Sequence, residues 1–271
     1  MTDPHAPSAT QGSEASAATL DAHSLRDRLD EHPLTPIVVP VGAFEQHGPH
    51  LPLGTDGILA TAIGTAVAAE IGGTALPALS YGYKSQPRSG GGNTQFGTLS
   101  LDATTLIHIV CDITRALLED GFRRIVLING HFENYQHLYE GVDLALREHR
   151  DPEAEPPEVV LLSYWDFVSD DVLTRIYGDE FPGWDVEHGG TLETSLLLHL
   201  HPELVHLDRA PTHPAVQNPP FDVLPESRAS LPRSGVLSSP DTASAENGSL
   251  LHEAVVDSIA TTLRTRWADG R

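Results

Sequence analysis

The segments PIVVPVG at residues 36–42 and RIVLINGH at residues 124–131 decide the fold class of this chain. Each is a short apolar run, rich in β-branched side chains, that ends at a glycine-containing turn, which is typical of a buried strand in a parallel sheet. A third such run lies at residues 159–164, and a short strand is expected near residues 74–79. Helical spacing of apolar residues predicts helices between them, at residues 56–71, 103–120 and 134–149.

Alternation of strands and helices predicts right-handed βαβ units, and therefore an α/β fold with a mainly parallel β-sheet flanked by helices on both faces. A chain of 271 residues fits one large domain better than two small ones. Residues 1–20 lack apolar periodicity and predict a disordered arm, so the single domain is expected to span residues 21–271. The long proline- and serine-rich stretch at residues 208–248 is expected to cover a site or a subunit contact.

Charge and composition exclude several classes of function. The chain has 16 Lys and Arg against 38 Asp and Glu, a formal net charge of -22. Such a surface repels phosphate backbones and anionic lipids, so we expect no nucleic acid partner and no membrane partner. The sequence shows no signal peptide and no apolar run of about 18 residues, which predicts a cytoplasmic location. The single cysteine, Cys111, is expected to be a small buried apolar residue.

Polar clusters follow two of the predicted strands. The first contains Glu45 and His47 and is followed by Asp56 at the expected N-cap of a helix; the second contains His131 and Glu133. The carboxyl ends of parallel strands meet at one edge of a sheet, where ligand sites gather. Carboxylate and imidazole groups without a thiolate suit two ions such as Zn²⁺ or Mn²⁺. One cluster alone is compatible with a solvated loop, whereas two clusters at one edge favour a two-metal site.

A third cluster, GWDVEHGG at residues 183–190, places His188 beside carboxylates, with Glu193 one helical turn further on. A histidine in this setting can act as a general acid and base near neutral pH, although a structural histidine is the alternative. Ser89, before a glycine run, is an alternative nucleophile, but no Gly-x-Ser-x-Gly elbow surrounds it. The glycine run also lacks the Gly-Lys-Ser/Thr ending of a phosphate-binding loop.

These segments resemble the creatininase family over about residues 33–265. Glu-x-His and Asn-Gly-His are signals of the wider family, and several other stretches resemble creatininase proper. The segments that carry the resemblance are VGAFEQHG (41–48), YGYKSQ (81–86), SGGGN (89–93), NGHFEN (129–134), LSYWDFV (162–168) and GWDVEHGG (183–190).

The resemblance implies a creatininase-like α/β metallohydrolase with two divalent ions, Zn²⁺ and/or Mn²⁺, per subunit. It implies that Glu45, Asp56 and His131 hold one ion and that His47, Asp56 and Glu133 hold the other, with Asp56 as the bridge. A hydroxide between the ions would attack the ring carbonyl of a small cyclic amide, Glu133 would be essential for turnover, and His188 would shuttle a proton. The implied substrate-binding residues are Ser89, Gly130, Phe132, Trp165, Trp184, Asp185, Glu187 and Glu193.

Phe132 departs from the family pattern, which has tyrosine between the histidine and the glutamate of the Asn-Gly-His segment. A hydroxyl near the substrate is therefore missing, so the sequence does not decide which cyclic substrate is preferred. The resemblance implies a hydrolase that acts on carbon–nitrogen bonds other than peptide bonds, with conversion of creatinine to creatine as the first hypothesis and a homohexamer as the expected assembly. Another lactam, a cyclic urea or guanidine, or a formamide is the alternative substrate, and a non-catalytic metal-stabilised binding protein is a second class.

Overall fold

Four parallel strands form one sheet in the order β2-β1-β3-β4. They are β1 (Pro36–Val41), β2 (Thr74–Ala75), β3 (Arg124–Asn129) and β4 (Glu158–Ser163). In the central pair Val41 lies opposite Asn129, so the loops that follow β1 and β3 leave the same edge of the sheet. The structure is a computed structural model and describes residues 15–149, 156–225 and 231–268.

Seven α-helices in the described residues surround the sheet. They are α1 (Ala22–Glu31), α2 (Thr55–Glu70), α3 (Ala103–Glu119), α4 (Tyr135–Glu148), α5 (Asp170–Tyr177), α6 (Thr191–Leu200) and α7 (Ala245–Ala268). None of these described helices is long and apolar enough to cross a membrane.

Alternate residues of each strand face two separate cores, because successive side chains of a strand point to opposite faces of a sheet. Ile37 and Val39 of β1 pack with buried residues of α1, α3 and α4. Val38 of β1 and Val126 of β3 pack with buried residues of α2, α6 and α7. Helices thus cover both faces, which confirms the predicted parallel α/β fold.

Residues 15–20, which were predicted to belong to the arm before the domain boundary at residue 21, contact the sheet. Residues 1–14 of the predicted arm lie outside the described residues. Ala15 is buried, and its backbone carbonyl accepts a hydrogen bond from the Ala75 N–H (2.6 Å). Residues 15–20 are therefore joined to the edge of the sheet at β2, a non-local backbone pairing that apolar periodicity does not reveal.

Two other differences concern lengths and helix starts. The strand expected near residues 74–79 is limited to Thr74–Ala75, and Leu79 forms a single bridge to Val41. Helix α2 begins at Thr55, so Asp56 lies inside its first turn rather than at the N-cap. This shift places the Asp56 side chain within the buried interior at the edge of the sheet.

Candidate metal centre

Three segments at the carboxyl edge of the sheet form the floor of the site. Glu45 and His47 lie in the loop after β1, Asp56 lies in the first turn of α2, and His131 follows β3 directly. All four side chains are buried. The sheet register brings the two loops together, as the sequence predicts, and α2 supplies the aspartate between them.

Two glycines allow these segments to approach closely. A Cβ atom at Gly42 would collide with the backbone nitrogen of Gly57, and one at Gly130 would lie 2.9 Å from the backbone oxygen of Asp56. Both distances are too short for a real Cβ contact. The ends of β1 and β3 therefore rest directly on the backbone at the start of α2, which fixes where Asp56 lies relative to the two loops.

Asp56 joins two groups of ligand atoms. His131 Nδ1 lies 3.0 Å from Glu45 Oε1 and 3.0 Å from Asp56 Oδ2. His47 Nε2 lies 2.8 Å from Asp56 Oδ1 and 3.4 Å from Glu193 Oε1. Within each of the groups Glu45–Asp56–His131 and His47–Asp56–Glu193, the ligand atoms lie within 4.8 Å of one another. Since each carboxylate oxygen of Asp56 belongs to a different group, this residue is placed to bridge two ions.

Glu193 of α6 completes this second group of close ligand atoms, whereas the resemblance implies Glu133 as the third ligand, a role that stays a prediction. Glu133 lies on the other side of the His131 ring, with Oε2 3.3 Å from His131 Nε2. Its Oε1 atom accepts hydrogen bonds from Ser89 Oγ (2.6 Å) and from the Gln86 N–H (2.8 Å). Among the residues that the structure describes, Glu133 belongs to no group of three close ligand atoms. A carboxylate behind a ligand histidine orients its ring and raises its basicity.

The imidazoles and carboxylates of the floor perturb one another strongly. Burial works to lower the pKa of His47, but Glu193 and Asp56 outweigh it and hold this pKa well above its ordinary value. Burial also works to lower the pKa of His131. Glu45 and Glu133 outweigh it, so this pKa too lies well above its ordinary value. Burial works to raise the pKa of Asp56, yet His47 and His131 bring it well below its ordinary value. Excess negative charge thus holds protons on both rings, and a metal cation can replace such protons.

The donor set fits divalent ions. In the described part of the chain four buried side-chain atoms of this cluster make no hydrogen bond of normal geometry, namely Glu45 Oε2, His47 Nε2, Asp56 Oδ2 and Glu133 Oε2, although the last three lie 2.8–3.3 Å from a carboxylate or imidazole atom. Ligand atoms that lie this close together without hydrogen-bond geometry are suited to a shared cation. Carboxylate oxygens and imidazole nitrogens are ligands of Zn²⁺ and Mn²⁺.

His188 lies beside the floor with a defined orientation. Its Nε2 atom lies 2.8 Å from the backbone oxygen of Gln46, which can only accept, so Nε2 is the donor. Nδ1 lies 3.7 Å from Glu45 Oε1, and the ring centroid is 4.4 Å from that of His47. In the neutral ring Nδ1 therefore carries no proton and faces the metal centre. The Gln46 side chain donates to the backbone oxygen of Gly235 (2.9 Å) in the long stretch after residue 208.

A cavity opens above this floor. Nearly all the predicted site residues contribute to its lining; Asp185 is absent from the lining, and His47 lies beneath it. Phe132 stacks on Trp165 with ring centroids 6.1 Å apart and an interplanar angle of 20°. Tyr164 and Leu192 also line the cavity, although sequence reasoning did not select them. Both adjoin selected segments, which is the signal that could have identified them.

A parallel α/β domain in which one aspartate joins two carboxylate–imidazole groups below a cavity has the structure of a two-metal hydrolase. The sequence model of the creatininase family, described as creatinine amidohydrolase, matches residues 18–263, and the chain belongs to this family. Its similarity to known members extends over most of both chains. Solved creatininases are described as the Zn-Zn type and as creatininase Mn, and this chain has groups of residues that could hold such ions.

Three relatives illustrate the similarity. The creatinine amidohydrolase of Pseudomonas putida is 51% identical over 232 residues, which are 85% of this chain and 89% of the relative. The mycofactocin precursor peptide peptidase of Mycobacterium ulcerans (strain Agy99) is 32% identical over 249 residues, 86% of each chain. A solved mutant creatininase described as the Zn-Zn type has a TM-score of 0.90 and 46% identity, covering 93% of this chain and 98% of that one.

Proposed function

We propose that this chain opens the ring of a small cyclic amide, with creatinine as the first substrate to test. The observation that carries the proposal is the shared Asp56, whose two carboxylate oxygens face different imidazoles at the floor of one cavity. The 51% identical relative is named creatinine amidohydrolase, which supports this choice of ring. Another lactam, a cyclic urea or guanidine, or a formamide is the alternative substrate.

Six residues of the floor have proposed roles in holding the metal ions or in positioning the residues that hold them. Glu45 and His131 would hold one ion with Asp56, and His47 and Glu193 would hold the other. When bound, the ions would activate water and polarise the carbonyl of the substrate. Glu133 would keep the His131 ring in place and hold Ser89 at the rim of the cavity, since its carboxylate contacts both side chains.

His188 is the proposed proton carrier. Hydrolysis adds the oxygen of water to the carbonyl carbon, breaks the carbon–nitrogen bond and places a proton on the leaving nitrogen. His188 Nδ1 faces the floor and bears no proton in the neutral ring, so it can accept a proton there and deliver it to that nitrogen. A closed structural metal site would not need this open imidazole, which argues against a non-catalytic binding protein.

The aromatic side of the cavity favours a flat and electron-poor ring. Trp165, stacked on Phe132, and Trp184 offer aromatic faces that attract a guanidinium-like group. Phe132 lacks a hydroxyl, so the substrate makes one hydrogen bond fewer here than at a tyrosine. We expect Phe132→Tyr to lower KM for creatinine if the ring sits against this residue, and to leave KM unchanged for a ring that does not reach it.

The oligomeric state and the cellular location are also part of the proposal. The resemblance supports a homohexamer, and the exposed apolar side chains Phe96 (98% exposed) and Leu99 are suitable for a contact between subunits. Light scattering of the purified protein would test the assembly. A cytoplasmic location is also part of the proposal, supported by composition.

The decisive experiment measures turnover of creatinine and of a panel of other lactams, cyclic ureas and formamides by metal-reconstituted protein. Elemental analysis gives the metal content of the same samples. His188→Ala should keep two ions per subunit and lose nearly all activity, whereas His108→Ala, which removes an exposed histidine of α3, should behave as wild type. Full activity in His188→Ala would remove the proposed proton carrier. Turnover of another ring but not creatinine would select the alternative substrate.

A further inference from the structure

Tyr177, the last residue of α5, binds a carboxylate of the cavity lining. Its hydroxyl donates a hydrogen bond to Glu187 Oε1 over 2.5 Å. Glu187 is buried, and this burial raises the pKa of its carboxyl group to about 7. A hydrogen bond to a buried carboxyl group is among the stronger ones in proteins.

Glu187 connects the segment before α6 to two other parts of the molecule. Its Oε1 atom also accepts from the backbone N–H of Leu192 in the first turn of α6, and its Oε2 atom lies 3.4 Å from Ser238 Oγ. The next residue of α6 is Glu193, which approaches His47 at the floor. Donors from α5, from α6 and from Ser238 thus meet on Glu187, which fixes the segment before α6 between them.

The Tyr177 ring is also connected to the cavity wall, through the ring of Phe181. Its centroid lies 5.1 Å from that of Phe181 at an angle of 65°, and the Phe181 centroid lies 4.7 Å from that of Trp184 at 68°. Edge-to-face contacts at these distances are favourable. Trp184 lines the cavity. One side chain thus supports the wall through its hydroxyl at Glu187 and through its ring at Trp184.

We propose that Tyr177 is a positioning residue for substrate binding, which holds the wall segment 184–187 against α6. The inference rests on the proposed function, because it assigns Tyr177 a role in binding the ring in this cavity. The segment 184–187 contains neither a proposed ligand of the floor nor the proton carrier His188, so we expect a small loosening of it to weaken binding of the substrate and of the transition state to a similar extent. Such a change raises KM and leaves kcat nearly constant.

Tyr177→Phe tests the proposal because it removes only the hydroxyl and keeps the ring contact with Phe181. Loss of one hydrogen bond to a buried carboxyl group predicts a KM for creatinine about tenfold higher, with kcat within about twofold of wild type. Both ions should remain bound. Tyr139→Phe is the matched control, since Tyr139 is 60% exposed on α4, and its KM should equal that of wild type.

A second readout needs no substrate. The chain has three tryptophans, so 5-fluorotryptophan labelling gives three fluorine resonances, which single Trp→Phe variants assign. Tyr177→Phe should shift or broaden the Trp184 resonance and leave that of Trp267 unchanged. Phe181→Leu, which keeps the hydroxyl contact and removes the ring contact, should disturb Trp184 as well.

The outcomes separate this inference from the proposed function. An unchanged KM together with an unchanged Trp184 resonance in Tyr177→Phe overturns it, and so does a loss of kcat that accompanies a loss of metal. If the wild type does not hydrolyse creatinine, the proposed substrate fails, yet the Trp184 resonance still decides whether Tyr177 positions the wall. A misfolded Tyr177→Phe protein leaves Phe181→Leu to decide by the same resonance.

Discussion

Removal of the metal ions should lower the melting temperature of this protein by more than ten degrees. Without ions, Glu45 Oε2 is buried with no partner among the described residues, and His47 Nε2, Asp56 Oδ2 and Glu133 Oε2 make close contacts without normal hydrogen-bond geometry. Binding of ions to the folded state satisfies such atoms and stabilises this state relative to the unfolded chain.

The size of the shift follows from mass action. An ion present at a hundred times its dissociation constant contributes about 2.7 kcal/mol, so two sites contribute about 5 kcal/mol. A domain of this size gains roughly 2–4 °C per kcal/mol. The expected difference between the metal-loaded and the metal-free protein is therefore about 10–20 °C.

Scanning calorimetry before and after dialysis against EDTA would measure this difference, with elemental analysis to establish that both ions have left. Addition of Zn²⁺ or Mn²⁺ should restore the original melting temperature. Asp56→Asn lacks the charge of the shared ligand, so its melting temperature should be low at the outset and should respond little to EDTA. A shift of less than about 2 °C in wild-type protein that has lost both ions would refute the reasoning.

Three further predictions concern the ligands, the pH dependence and the core. Glu193→Gln should lose about one of two ions per subunit by elemental analysis, whereas Glu133→Gln should keep both and lose activity; equal metal content in the two variants would contradict the grouping. Burial and nearby His199 lower the pKa of His252. Below pH about 6.5 the unfolded chain therefore binds a proton that the folded chain excludes. As the pH falls further, the free energy of unfolding decreases by as much as about 1.4 kcal/mol per pH unit. His252→Gln should flatten this dependence in denaturant titrations, and an unchanged slope would exclude His252 as its source. Leu59→Ala, in a fully buried position of α2, should lower the free energy of unfolding by about 2–5 kcal/mol in the same titrations, and a loss below about 1 kcal/mol would show that the core refills the space.

The parallel sheet could be predicted from sequence because its information is local. The run at residues 36–42 is apolar throughout, and β1 is buried along its whole length. Strand and helix periodicities differ, so the alternation of elements was evident before any contact was known. Residues 15–20 could not be predicted in this way, because the pairing of Ala15 with Ala75 uses backbone atoms that are the same in every residue.

The floor could be predicted in part. Glu45 and His131 follow adjacent strands, and parallel topology alone brings them to one edge. The approach of Glu193 to His47 could not be predicted, since it depends on where α6 packs. The role of Tyr177 was equally hidden, because ten residues separate it from Glu187 and no periodic pattern connects a hydroxyl to a carboxylate.

The absence of side chains at residues 42 and 130 has a consequence for how this enzyme can change its substrate. Because the backbone ends of β1 and β3 touch the start of α2, a larger residue at either position would displace Asp56 relative to Glu45 and His131, the proposed ligands. Natural variation and laboratory evolution should therefore leave this junction intact. New ring preferences are more accessible through the segment between α5 and α6, where a substitution can reshape one side of the cavity without displacing the ions.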